Sequence, residues 1–170
     1  MNDSYIHLTN FSVQKYHSDF SKQHIGNEVS FDDFQDALNS SSKTNYIKVK
    51  DIYNKIADIV KITFKCVKDT INTQNRKHSF EIFGFDFIVD KDVNVFLLEV
   101  NTNPGLELSS PLITKLVPRM IDDALRLSVD LLFPNETEKD KNKTYNSKFP
   151  VDNYSNSENM YDFLGNINEK

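Results

Sequence analysis

Asp86, Glu99 and Asn101 are the residues of this chain whose types and spacing could do chemistry. Two runs rich in Phe, Ile, Val and Leu, Phe80 to Val89 and Val95 to Val100, flank the polar Asp90-Lys91-Asp92-Val93-Asn94, a pattern that predicts a β-hairpin. Side chains alternate faces along a strand, so Glu99 and Asn101 leave the second strand on one side and Leu98 and Val100 on the other. If Val89 pairs with Phe96, Asp86 stands directly opposite Glu99. Directly opposed residues have side-chain roots about 4.5–5.5 Å apart, and like charges there are unfavourable unless something neutralises them. A divalent cation would do so: two carboxylates and a carboxamide oxygen are hard donors that Mg2+ accepts while keeping waters or phosphate oxygens on its other positions. A buried ion pair or a wet sheet edge would account for the same charges. Carboxylates in strands otherwise made of Phe, Leu, Ile and Val are costly to bury unpaired, which sets them apart from ordinary surface charge. Gly84, two residues before Asp86 and on its face, leaves that side open to a ligand or another backbone, or else marks a bulge.

Rival motifs fail on their own terms. Asp90-Lys91-Asp92-Val93-Asn94 begins like a calcium loop, but the sixth position is Val95 rather than Gly and the twelfth is Asn101 rather than Glu. His7, His17, His24 and His78 are dispersed, and none makes the spacing of a zinc-binding helix. Cys66 is the single cysteine, so it has no partner for an internal disulfide or a CxxC pair. It reads as a buried thiol in a protein of a reducing compartment such as the cytosol.

The elements that must hold the three side chains follow from periodicity. Val49, Ile52, Tyr53, Ile56, Ile59, Val60, Thr63, Phe64, Val67 and Ile71 recur at helical spacing and predict a helix from about Lys48 to Ile71. Lys50, Lys61, Lys65 and Lys68 form an adjacent stripe, either a solvated face or an attraction for an acidic peptide. Ser30 with Asp33 resembles a capping box and predicts a short helix ending within Asn39 to Ser42. Ser110-Pro111 predicts a further helix start, with Leu112, Leu116, Met120, Ile121, Ala124, Leu127 and Leu131 on its apolar face and a kink or restart at Pro118. Tyr5 to Thr9 reads as a short strand, and both hairpin strands are expected inside a core sheet.

With 170 residues the chain can bury one sizeable core. A net charge of −5 with both signs interspersed shows no nucleic-acid footprint. The N-terminus lacks the basic and apolar stretches of a signal peptide, and no apolar run has the length of a membrane span, so a soluble intracellular protein without membrane or nucleic-acid partners is expected. Residues 135–170 are dominated by Asn, Lys, Glu, Ser and Asp and read as a mostly disordered tail.

His7-Leu8-Thr9-Asn10, Gly26-Asn27-Glu28, Phe83-Gly84-Phe85-Asp86-Phe87, Leu98-Glu99-Val100-Asn101 followed by Pro104, and the closing Asp130-Leu131-Leu132-Phe133-Pro134 occur in that order. Together they resemble the tubulin tyrosine ligase-like family over about residues 5 to 134, which sets the domain at 1–134. The resemblance implies an α+β fold, the C-terminal lobe of an ATP-grasp fold with a mainly antiparallel sheet and flanking helices. Carried over motif by motif, Asp86, Glu99 and Asn101 fall on the family's catalytic magnesium ligands. Thr9 and Asn10 fall on the strand end bordering the nucleotide phosphates and the incoming amino acid. The implied reaction uses ATP and Mg2+ to phosphorylate a carboxylate of the tubulin tail. The amine of a free amino acid (tyrosine, glutamate or glycine) then displaces phosphate from the acyl phosphate. The implied partners are the acidic tails of tubulin or microtubules, and the implied setting is the cytoplasm, cytoskeleton or cilium. An ATP-grasp enzyme also has a preceding lobe, expected outside this sequence because Met1 stands only six residues before His7. The alternative is a non-catalytic tubulin-binding module that uses the lysine stripe.

Overall fold

Apolar positions repeating at helical spacing make one long amphipathic helix, and the Phe-rich segment that follows it folds back as the hairpin. The computed structural model describes residues 4–8, 10–20, 22, 28–41, 43, 44, 46–130, 132, 133 and 160–166. It divides into two compact units, Met1–Tyr46 with Leu106–Val117 and Ile47–Gly105 with Pro118–Lys170.

In the first unit the expected strand at residues 5–9 is instead a helical turn, α1 (Ser4–His7). Leu8 N donates to Ser4 O at 2.9 Å, and the Gln14 side-chain amide donates to Tyr5 O at 2.7 Å and Leu8 O at 2.6 Å. Those carbonyls are therefore satisfied locally and need no sheet neighbour. A second short helix, α2 (Phe11–Gln14), begins at Asn10. The helix start falls where it was read: α3 (Phe31–Asn39) is capped by Ser30, whose hydroxyl accepts from Asp33 N at 3.1 Å and donates to the Asp33 carboxylate at 2.6 Å. Ser110, 5% exposed, does the same for α5 (Pro111–Ser128), accepting from Ile113 N at 3.2 Å while its hydroxyl donates to the Glu28 carboxylate. Helix α5 neither stops nor restarts at Pro118, which lies inside it.

The second unit carries α4 (Val49–Ile71), which matches the expected helix, and an antiparallel pair, β1 (Gly84–Val89) and β2 (Val95–Asn101). Its buried apolar residues are Ile47, Val49, Ile52 and Ala124. Phe64 of α4 meets Phe83 edge-on at 5.3 Å and Phe85 at 5.7 Å, and Phe85 stacks on Phe87 at 6.1 Å, so aromatic contacts seat the hairpin on the helix. The turn is fixed as well. Asp90 Oδ1 accepts from Asp92 N and Asn94 N, and Lys55 Nζ reaches from α4 to Val93 O at 2.7 Å. Hydrogen bonds from the Asn94 side chain and backbone hold the Asp90 carboxyl below its ordinary range.

Three expectations need correction here. Among the described residues the sheet has two strands, not a larger core sheet, and Ile88, Phe96 and Leu98 are exposed on it. Cys66 is exposed rather than buried, because from Lys65 to Ile71 every residue of α4 faces solvent. Val89 pairs with Val95, not Phe96. The expected tail falls mostly outside the described residues, but 160–166 is described and held by side chains of α4 and α5.

Candidate metal-binding site

The register places Asp86 directly opposite Glu99 and Gly84 opposite Asn101, as the spacing requires, although the pairing of Val89 with Phe96 from which that was read does not occur. The difference is a bulge. Register shifts by one between Asp86 and Phe87, so that Phe87 faces Leu97 and Leu98 is left without a partner across the strand. The extra residue resets the alternation. Leu97 joins Phe85 and Phe87 on the half-buried face toward α4, Leu98 swings out to 60% exposure, and Glu99 keeps the open face with Asp86. In a strand without the bulge, Leu97 and Glu99 would share a face, and either the core or the carboxylate pair would be lost.

On the open face the three side chains converge. Asn101 Nδ2 donates to Glu99 Oε1 at 3.2 Å and, weakly, to Asp86 Oδ2 at 3.4 Å. The Asp86 carboxyl is pushed above its ordinary range, first by desolvation, then by a hydrogen bond with Glu99 and by the like charge of Glu99. Two acids close enough to share a proton are the arrangement a cation relieves. Turning the Asn101 amide over would present its oxygen in place of the nitrogen, and the two orientations differ only in hydrogen bonding. The donor set, two carboxylates and one carboxamide, therefore suits a hard divalent cation that keeps part of its own hydration. Among the described residues no group of three or more His, Cys, Asp or Glu side chains could hold a metal ion, so this candidate site rests on two acids and one amide.

Gly84 is not open to a ligand. A methyl group there would sit 3.0 Å from Pro104 Cβ and 3.7 Å from Asn101 Cβ, so the chain's own proline fills the space. Pro104 thereby packs beside the strand end that carries Asn101. Gly84→Ala forces Pro104 to shift and costs about 1–3 kcal/mol as an overpacked contact. Thermal unfolding measures that loss, and a melting temperature equal to wild type would mean that Pro104 yields without strain.

Of the two residues expected beside the phosphates, Asn10 is described within the first unit, where its side-chain oxygen accepts from Ser12 N at 2.8 Å and caps α2. It stands at a helix start, not at a strand end. Thr9 lies outside the described residues, as do Gly26 and Asn27. The reading missed the bulge at Leu98, for which a run of consecutive apolar residues gives no signal, and it missed Asp123, a carboxylate with 0% exposure in α5.

A short antiparallel hairpin on an amphipathic helix, gathering two acids and an amide on its open face, defines a mixed helix-and-sheet protein with a candidate divalent-cation site. The chain belongs to the tubulin-tyrosine ligase family, whose model matches residues 1–141. It is 31% identical over 133 residues to tubulin glycylase 3D of Tetrahymena thermophila, covering 76% of this chain and 13% of that protein. It is 30% identical over 138 residues to tubulin polyglutamylase ttll-5 of Caenorhabditis elegans, covering 74% and 18%. It is 31% identical over 127 residues to the probable tubulin polyglutamylase TTLL9 of Bos taurus, covering 75% and 26%. The chain thus spans less than a third of the length of each of these relatives.

Proposed function

We propose that this chain is the metal-holding lobe of an ATP-grasp ligase that joins an amino acid to tubulin. The observation that carries the reading is the meeting of Asp86, Glu99 and Asn101 on one face of the hairpin in a member of this family. Relatives named as glycylases and polyglutamylases support glycine or glutamate as the amino acid, with tyrosine the third candidate. Asp86 and Glu99 supply the charge that holds magnesium, and Asn101 supplies a neutral oxygen donor. Magnesium, when bound there, offsets the negative charge of the ATP phosphates and fixes their geometry, in a reaction that needs positioning more than a protein nucleophile.

Ile88 and Phe96, partners across the hairpin, lie on the carboxylate side at 45% and 51% exposure. An exposed apolar rim beside acidic ligands suits a surface that a companion lobe closes over, excluding water and strengthening the electrostatics inside. The acidic tail of tubulin would then be modified at cytoplasmic or ciliary microtubules. No helix among the described residues is long and apolar enough to cross a membrane. The other reading, a module that only binds tubulin, rests on the lysine stripe of α4. There Lys61 already lies 3.6 Å from Asp58, whereas the complete ligand set serves no purpose in binding alone.

The test is incorporation of labelled glycine, glutamate or tyrosine into tubulin by the full-length protein that contains this chain. One of the three should enter tubulin only when ATP and magnesium are both present. A protein that binds tubulin and incorporates none of them would be the binding module instead.

A further inference from the structure

The second unit holds a carboxylate that the proposed ligase site does not use. Asp123 is wholly buried in α5, a position that costs several kcal/mol unless charge and hydrogen bonds are supplied to it. Arg119, one turn earlier, donates from Nε to Asp123 Oδ2 at 3.1 Å. The backbone N–H of Met160 donates to the same oxygen at 2.9 Å from 37 residues away. The next two residues of that segment have anchors of their own. Tyr161 lines a cavity of about 380 Å3 together with Phe64, Phe80, Phe83, Met120 and Leu127. Asp162 Oδ2 accepts from the Tyr53 hydroxyl of α4 at 2.7 Å.

We propose that the seam between α4 and the second half of α5 is a docking groove for Met160–Asn166 of the same chain, recognised by the three successive residues Met160, Tyr161 and Asp162. Three successive residues find three partners, an acid, an aromatic-lined cavity and a helix tyrosine, and these are drawn from both helices. The docked segment ties α4 to α5 behind the hairpin, because Phe64, Phe83 and Phe85 line the same cavity while Asp86 faces the other way. It acts as a clasp that can open. The Arg119 side chain is 43% exposed, so when the segment leaves, water can take the place of the Met160 N–H and Asp123 keeps its ion pair.

Hydrogen exchange followed by mass spectrometry on the full chain tests the clasp. The Met160 amide, bonded to Asp123, should exchange in the wild type at least about tenfold more slowly than in an unstructured peptide that contains it, since its exchange requires that bond to open. Tyr161→Ala and Asp123→Leu, which removes the acceptor, should each bring the rate close to that of the peptide while α4 stays protected. If Asp123→Leu does not fold, Tyr161→Ala and Asp162→Ala alter only the segment and carry the test. Wild-type exchange at the peptide's rate would overturn the proposal, as would slow exchange that Tyr161→Ala and Asp162→Ala leave unchanged.

Discussion

Replacing Glu99 by glutamine in the full-length protein should lower ATP-dependent amino-acid incorporation into tubulin on the order of a hundredfold or more, while the fold becomes no less stable. The two effects have different origins. Glutamine keeps the size of the side chain and an oxygen that can accept from Asn101 Nδ2, a bond of 3.2 Å in the wild type. What it removes is one of the two negative charges that face each other across β1 and β2. Without metal that charge is a burden, because like charges opposed in a sheet are destabilising. With metal it is a ligand, and the several kcal/mol of charge stabilisation a cation brings to phosphoryl chemistry correspond to roughly two to three orders of magnitude in rate. Melting temperature without magnesium should therefore stay level or rise, and incorporation should collapse. Measuring both on one preparation separates a ligand role from a structural one. Wild-type turnover by the variant would end the metal assignment; equal loss of stability and activity would make Glu99 a folding residue.

Helical periodicity made α4 legible almost to the residue, since a stripe of ten apolar positions leaves little freedom of phase. The cap at Ser30 and the Ser110-Pro111 start were legible for a local reason, a side chain bonding a backbone amide three residues away. The hairpin was half legible. Alternation put Glu99 and Asn101 on one face, but the opposition of Asp86 and Glu99 was read from a Val89–Phe96 pairing that does not occur, because Phe96-Leu97-Leu98 offers three apolar residues in a row and only packing against α4 decides which one bulges out. Over Tyr5 to Leu8 the strand failed because β-prone residues need a neighbouring strand, and Gln14 supplies what the Tyr5 and Leu8 carbonyls need instead. The strand-end placement of Asn10 failed with it, since its side chain starts a helix here. Asp123 was illegible in principle. An acid on the polar-looking side of a helix is read as solvated until a segment 37 residues downstream is known to cover it.

The titration of Asp86 should make magnesium binding steeply dependent on pH, and the sign follows from linkage. In the unfolded chain Asp86 titrates near the ordinary aspartate value of 3.8; in the fold, desolvation, a hydrogen bond with Glu99 and the charge of Glu99 raise it. Below the unfolded value both states carry the proton and the group contributes nothing to stability. As pH rises between the unfolded and folded values, the unfolded chain releases a proton that the native state retains, so stability falls. The loss is complete once pH passes the folded value. The metal-free protein is therefore more stable, as far as this pair is concerned, in mild acid than at neutral pH. On the proposed reading magnesium reverses the trend, because it would bind the ionised pair and have to displace the proton as pH drops below the folded value. Its affinity should then fall by up to about tenfold per pH unit, the dependence of a ligand that competes with one proton. The rise in melting temperature caused by magnesium should accordingly be small in acid, grow as pH increases and level off above the folded value. Asp86→Asn should remove both the stability slope from this group and the response to magnesium. Scanning calorimetry across pH, with and without magnesium, measures all of it. A magnesium-induced shift of the same size at every pH, or one that survives in Asp86→Asn, would mean that the cation sits somewhere other than between these two acids.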